Sequence, residues 1–253
     1  MTETSGFIDR PGHMGSGGQR LAVRRIEGAG PTVVWVGGWR SDMGGTKAEA
    51  LAQASVERGW SYLRYDHFAH GESSGDWTQA TIGRWREDLI ALIDGIDGPV
   101  VLVGSSMGGW VSALATVERG DRVSALVLIA PATDFADKLM WPSLPEAVRR
   151  EIETTGSHAV TEDPTGPHAL TRHFFEEARV WTLLDGPVAI RCPVRVLQGQ
   201  RDEPVPWRHA LALAERIESD DVVFTLIKDG DHRLSRPQDL TRLVAAVEEA
   251  RAL

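Results

Sequence analysis

Cysteine is nearly absent: Cys192 is the only one in 253 residues. No intrachain disulfide can form, so a buried core must hold the fold, which suits a reducing compartment. Cys192 precedes Pro193 and reads as a small hydrophobe at a strand start. Long apolar runs are also missing, and no stretch nears the roughly 18 residues of a membrane-spanning helix. The N-terminal residues lack a continuous apolar segment of the export type. There is no Lys/Arg-rich block and the formal net charge is -9, which argues against a nucleic-acid partner.

Signatures of cofactor and metal chemistry are lacking as well. The sequence has no H-E-x-x-H, no CxxC, no G-x-G-x-x-G and no Walker pattern. Gly71 and Gly75 sit in a loop after Asp66 without phosphate-binding spacing. Neither a cofactor nor a metal is expected.

Apolar runs alternate with helical spacing. Residues 32–36, 60–65, 99–103, 123–129, 194–197 and 222–227 read as buried strands. Residues 46–58, 81–94, 106–118, 207–218 and 237–250 read as helices, with Gly59 stopping the first and Thr81 or Thr78 capping the second. This alternation predicts an α/β fold with a mostly parallel sheet flanked by helices. Residues 1–19 are polar and glycine-rich, with Pro11, Gly12, Gly15, Gly17 and Gly18, and read as a flexible lead-in that Phe7 and Ile8 pin to the body. Residues 21–26 read as an edge strand. The rhythm breaks over 131–190, where Pro131, Pro142, Pro145, Pro164, Pro167 and Pro187 fall. Helical stretches near 144–153 and 170–184 make this a helical cap inserted into a core of 20–130 and 191–253.

Gly104-Ser105-Ser106-Met107-Gly108 lies between a strand run and a helical run. Glycines two residues before and two after Ser106 are what a nucleophile elbow needs, because the steep turn leaves no room for Cβ atoms. Ser105 lacks these symmetric flanks and reads as a supporting hydroxyl. Asp202 follows a later strand and His232 the one after, so the chain order is Ser, Asp, His. His232 is the expected base and Asp202 its orienting acid. Glu203 is the rival for that acid, and Asp229 and Asp231 read as loop acids. The N–H of Met107, at the helix start, is the expected first oxyanion donor. The N–H of Trp39, in Gly37-Gly38-Trp39 after an earlier strand, is the second. Nine tryptophans are many for this length. Gly38, Arg40, Trp110, Trp141 and Trp181 join Trp39 and Met107 as the expected substrate pocket. Arg40 is also a candidate for a carboxylate on the leaving group. His67 and His70 bracket a glycine-bearing turn as candidate substrate or supporting groups, while His13, His158, His168, His173 and His209 have weaker cases.

Several segments together carry a family likeness. They are Gly38-Trp39-Arg40-Ser41-Asp42-Met43-Gly44-Gly45-Thr46-Lys47-Ala48, Arg64-Tyr65-Asp66, Gly83-Arg84-Trp85-Arg86-Glu87-Asp88, Val103-Gly104-Ser105-Ser106-Met107-Gly108-Gly109-Trp110, Pro204-Val205-Pro206-Trp207 and Asp231-His232-Arg233. From about Phe7 to the end, the chain resembles the α/β-hydrolase family of mitochondrial palmitoyl-protein thioesterases, also described as acyl-glucuronide esterases. The resemblance implies an α/β-hydrolase fold, with Ser106 as nucleophile, Asp202 as acid and His232 as base. It implies hydrolysis of acyl thioesters and activated carboxylic esters. High Ala, Gly, Arg and Asp usage points to a bacterial relative with a cytoplasmic home. Small-molecule acyl esters, acyl-CoA-like thioesters, acyl glucuronides and acylated proteins all stay open as substrates. The same triad also serves amide, lactone and carbon–carbon bond cleavage. A non-catalytic acyl-ligand receptor is disfavoured by the intact triad, and haloalkane chemistry by the absence of aspartate at position 106.

Overall fold

The computed structural model describes residues 2–10, 18–163 and 166–253. Pro11, Gly12, His13, Gly15, Gly17 and Pro164 lie outside the described residues. The main sheet has eight strands, in the order β1 (Glu3–Arg10), β2 (Gln19–Ile26), β4 (Trp60–Tyr65), β3 (Ala29–Val36), β5 (Val100–Ser105), β6 (Val123–Ile129), β9 (Val194–Gly199) and β10 (Val222–Ile227). The β1–β2 and β2–β4 pairs are antiparallel; the rest are parallel. Central strands read as continuous apolar runs because helices cover both faces. Every residue of β5 is buried, for example.

Helices α1 (Thr46–Arg58) and α8 (Pro237–Ala252) cover one face, over a core that includes Val33, Val101, Val127 and Val247. Helices α2 (Ile82–Asp94) and α3 (Met107–Glu118) cover the other, against Val34, Leu102, Leu126 and Val196. Local signals set their ends. Gly59 closes α1 in the left-handed conformation (φ 73°). The Thr81 hydroxyl accepts the N–H of Arg84 and caps α2. Helix α7 (Trp207–Ala214) follows β9 and is shorter than the 207–218 expected. This is α/β-hydrolase architecture.

The N-terminal segment differs from the expected lead-in. Glu3–Arg10 is an edge strand paired with β2 along its full length, from Glu3 opposite Ile26 to Arg10 opposite Gln19. Ile8 packs against the core as expected, and ion pairs add to the attachment. Glu3 receives two hydrogen bonds from the buried guanidinium of Arg64, at 2.8 and 2.6 Å, and Arg10 pairs with buried Asp88 at 3.0 Å. Phe7, expected as an anchor, is half exposed. Residues 21–26 consequently form an interior strand and not an edge.

Between β6 and β9 the insertion opens with a wide helical turn (Ala136–Met140) and a single turn α4 (Trp141–Ser143), then α5 (Glu146–Thr155). A hairpin of β7 (Ser157–Val160) and β8 (His168–Thr171) follows, and then α6 (Arg172–Ala178). The hairpin departs from an all-helical reading. Its four-residue strands are too short for alternation to stand out, and Thr171 caps α6 through Phe174 N–H only where β8 ends.

Candidate active site

Ser106 occupies the turn between β5 and α3 with φ 54° and ψ -120°, a conformation costly for a residue with a Cβ. The turn is held from both sides. Its N–H donates to Ile129 O (2.9 Å), and its carbonyl accepts the N–H groups of Gly109 (2.9 Å) and Ala132 (3.0 Å). The flanking glycines are required by contact. A Cβ on Gly104 would sit 2.5 Å from Gly108 O, and one on Gly108 would sit 2.1 Å from Val36 O. Helix α3 thus enters directly against β3, and the serine side chain projects beyond the carboxyl ends of the strands.

Two later loops reach the same edge. Asp202 follows β9 with its side chain fully buried; its Oδ1 accepts the N–H of Val205 (2.8 Å) and its Oδ2 accepts from Gln198 Nε2 (3.0 Å). His232 follows β10. Its Nδ1–H donates to Asp202 Oδ2 at 2.8 Å, which leaves Nε2 bare to accept from Ser106 Oγ at 3.1 Å. The neighbouring acids have other work. Asp231 accepts the N–H of Leu234, Asp229 pairs with Arg236, and Glu203 is exposed at the cavity rim. Lys47 Nζ donates to Arg233 O and ties the histidine loop to α1; burial lowers its pKa to about 8.

Ser106 and His232 open into a cavity of about 540 Å³. Trp39 and Met107 border it, as do Phe135, Leu139 and Met140 from the start of the insertion. Pro204 and Val205 line the opposite wall beside Glu203, the only carboxylate lining the cavity among the described residues. Phe135, Leu139 and Met140 went unread in the sequence, although Phe135 and Leu139 have the i, i+4 spacing that puts two apolar side chains on one helical face.

The remaining expected pocket residues lie elsewhere. Trp110 is 1 % exposed and packs beneath Phe135, its Nε1–H donating to Trp181 O. Trp181 donates to Glu177 and lies under the Arg86 guanidinium. Trp141 packs on Phe175 and Arg179. Arg40 stretches over Trp77 and donates to Gly166 O in the insertion, and it is not among the residues that line the cavity. Gly38 backs onto the elbow, where a Cβ would meet Ser105 O at 3.2 Å and Ser106 Cβ at 3.3 Å. Large aromatics are read as pocket walls from sequence, but here Trp110 is buried and Trp141 and Trp181 pack, partly buried, against the core.

Behind Trp39 lies an aromatic layer that includes Trp77, Trp85 and Phe174, with ring centroids 4.8–5.8 Å from it. His67 and His70 belong to this layer. Burial lowers their pKa values to about 3 and about 4, with their mutual proximity adding to the shift at His67. Both are neutral near pH 7. Among the described residues, no three His, Cys, Asp or Glu side chains gather as a metal site would need, and no helix is long and apolar enough to cross a membrane.

Comparison with known proteins adds a family. The family model for serine aminopeptidase, S33, matches residues 31–180. Rat mitochondrial palmitoyl-protein thioesterase ABHD10 is 35% identical over 232 residues, spanning 90% of this chain and 78% of that protein. A solved candidate hydrolase from Agrobacterium vitis S4 superposes with a TM-score of 0.92 at 38% identity, covering 99% of this chain and 100% of that one. Mouse α/β-hydrolase domain-containing protein 10 superposes with a TM-score of 0.86 at 34% identity, covering 97% of each chain.

Proposed function

The chain belongs to the ABHD10-like family of serine-hydrolase-type α/β-hydrolases, and from this premise we propose that it cleaves carboxylic esters or thioesters. The observation that carries the reading is the unbroken relay from Asp202 through His232 to Ser106, opening into an apolar cavity. In the first step His232 Nε2 takes the hydroxyl proton as Ser106 Oγ bonds to the acyl carbon. Asp202 holds the imidazole tautomer and stabilises the imidazolium. The oxyanion is received by the N–H of Met107, the first of α3, and by the N–H of Trp39. The tetrahedral centre then collapses, and His232 passes its proton to the departing alcohol or thiol. Water, deprotonated by the same imidazole, attacks the acyl-serine and releases the acid with Ser106 restored.

The acyl group lies along Trp39, Met107, Phe135, Leu139 and Met140, and the leaving group faces Glu203. A volume near 540 Å³ falls in the usual range for small-molecule sites. The named activity of the rat relative, palmitoyl-protein thioester hydrolysis, supports including thioesters. The test compares matched p-nitrophenyl esters, acyl thioesters and an acyl glucuronide on wild type and Ser106→Ala. Turnover lost in the variant supports acyl transfer through Ser106, and the ranking of leaving groups names the substrate class. Turnover that persists in the variant removes Ser106 from the chemistry.

A further inference from the structure

Two buried histidines grip both ends of the segment that carries Trp39. His67 Nε2–H donates to the carbonyl of Gly37 at 3.1 Å, and His70 Nε2 accepts the N–H of Arg40 at 3.1 Å. Both come from the turn after β4, and their rings lie 5.5 Å apart. They are 1 % and 5 % exposed.

The direction of each bond is fixed by chemistry. A carbonyl only accepts, so His67 carries its proton on Nε2. His70 donates from Nδ1 to Phe68 O at 3.0 Å, which leaves its Nε2 bare for the Arg40 amide. Trp85 Nε1–H donates to the same Phe68 carbonyl at 3.0 Å and anchors it to α2. Trp85, Phe68, His70 and Arg40 therefore form one chain of orienting contacts that ends at the loop backbone.

The loop needs this support. Arg40 has φ 53°, the left-handed region that a residue with a Cβ occupies only when its surroundings impose it. Packing alone does not account for the histidines. His67 Nδ1 is buried without a hydrogen-bond partner, a desolvation cost that phenylalanine would avoid. What a histidine adds over a phenylalanine at these positions is the polar atom aimed at the loop.

We propose that His67 and His70 are positioning residues that hold the Trp39 N–H in the orientation that receives the oxyanion. The inference rests on the serine acyl-transfer reading above. A donor displaced by a fraction of an ångström loses much of its effect on the transition state while the ground state still binds.

The experiment measures kcat and KM with p-nitrophenyl butyrate, the rate of Ser106 labelling by a fluorophosphonate, and the melting temperature. His70→Phe keeps the ring packing and removes the acceptor, whereas His70→Gln returns an acceptor near Nε2. The expected result for His70→Phe is a fall of about 10–100-fold in kcat and in labelling rate, with KM nearly unchanged. His70→Gln recovers most of that loss. His67→Phe and His67→Gln should behave as the same pair, with a donor lost and returned. Wild-type kcat in a folded Phe variant overturns the proposal, as does an equal loss in Phe and Gln variants or a loss confined to KM. On the wild-type protein, imidazole nitrogen shifts give the tautomers without any substitution. The proposal requires His70 bare at Nε2 and His67 protonated there, and the reverse at either ring overturns it. Ser106→Ala runs in parallel: if it still turns over, the acyl-transfer reading fails; if it is silent while the histidine variants match wild type, only the positioning role fails.

Discussion

Asp202 Oδ2 accepts from both His232 Nδ1 and Gln198 Nε2, at 2.8 and 3.0 Å. The carboxylate is thus fixed before the imidazole meets it, and the imidazole inherits that orientation. Asp202→Asn should keep the fold and lower kcat by about 10³–10⁴-fold, because the amide favours the wrong His232 tautomer. On the proposed acyl-transfer reading the three side chains work as one unit, so Ser106→Ala and Ser106→Ala/Asp202→Asn should show the same residual rate. Steady-state kinetics on the ester that wild type prefers checks both expectations. A double variant much slower than Ser106→Ala alone would mean that Asp202 acts outside the relay.

Gly108 is where the elbow has least tolerance. Its missing Cβ leaves room for Val36 O and Gly37 O, which an alanine would crowd at 2.1 and 2.3 Å. Both are backbone atoms of the strand and loop that lead to Trp39, so no side chain can swing aside. Gly108→Ala should lose about 3 kcal/mol or more of stability and most of its activity. Gly98→Ala is the control for surface glycine, since nothing lies within 4 Å of its added Cβ, although its φ of 81° carries a local strain cost. Urea unfolding of the two variants should separate crowding from backbone strain.

The elbow and the relay were legible in the sequence because their signals are local. Glycines at fixed offsets from Ser106 report a steric need, and strand-then-loop placement brings Asp202 and His232 to one sheet edge. The cavity walls were not legible. They depend on how the insertion starts, where a wide turn rather than a regular helix presents Phe135, Leu139 and Met140. Trp110 and Trp181 were misread because size suggests a pocket wall, while their indole N–H groups are in fact spent on Trp181 O and Glu177. Strand β1 was hidden for another reason. Its residues, Glu-Thr-Ser-Gly-Phe-Ile-Asp-Arg, lack apolar alternation, and its attachment through Arg64 joins residues far apart in the chain.

Glu203 places a carboxylate at the mouth of the cavity. It is exposed and lines the same cavity as Ser106 and His232. A carboxylate there repels anionic leaving groups by Coulomb interaction weakened by solvent. Glu203→Gln should raise kcat/KM a few-fold for esters with a carboxylate or phosphate on the leaving group and leave neutral esters within about two-fold. The gain should shrink as salt is added. Equal gains for neutral and anionic substrates would mean that Glu203 limits access by size and not by charge.

Acid should destabilise the protein through His67 and His70. Their folded pKa values are lowered to about 3 and about 4 by burial, while the unfolded chain keeps the ordinary value near 6.5. Between these values the unfolded chain binds protons that the folded chain refuses. Stability from this source is therefore complete above about pH 6.5 and is lost as pH falls toward 4, by up to about 1.4 kcal/mol per pH unit for each histidine. Asp66 and Asp134 oppose the trend. Burial raises their carboxyl pKa values, so the folded state takes up those protons more readily than the unfolded one, and the net slope is smaller than two histidines alone would produce. Urea midpoints at pH 8, 6.5, 5.5 and 4.5 measure the slope. His67→Gln/His70→Gln, which has no ring to titrate, should flatten it below pH 6.5. A double variant with the wild-type slope would assign the acid lability to other groups, of which His209, also lowered by burial, is the next to test.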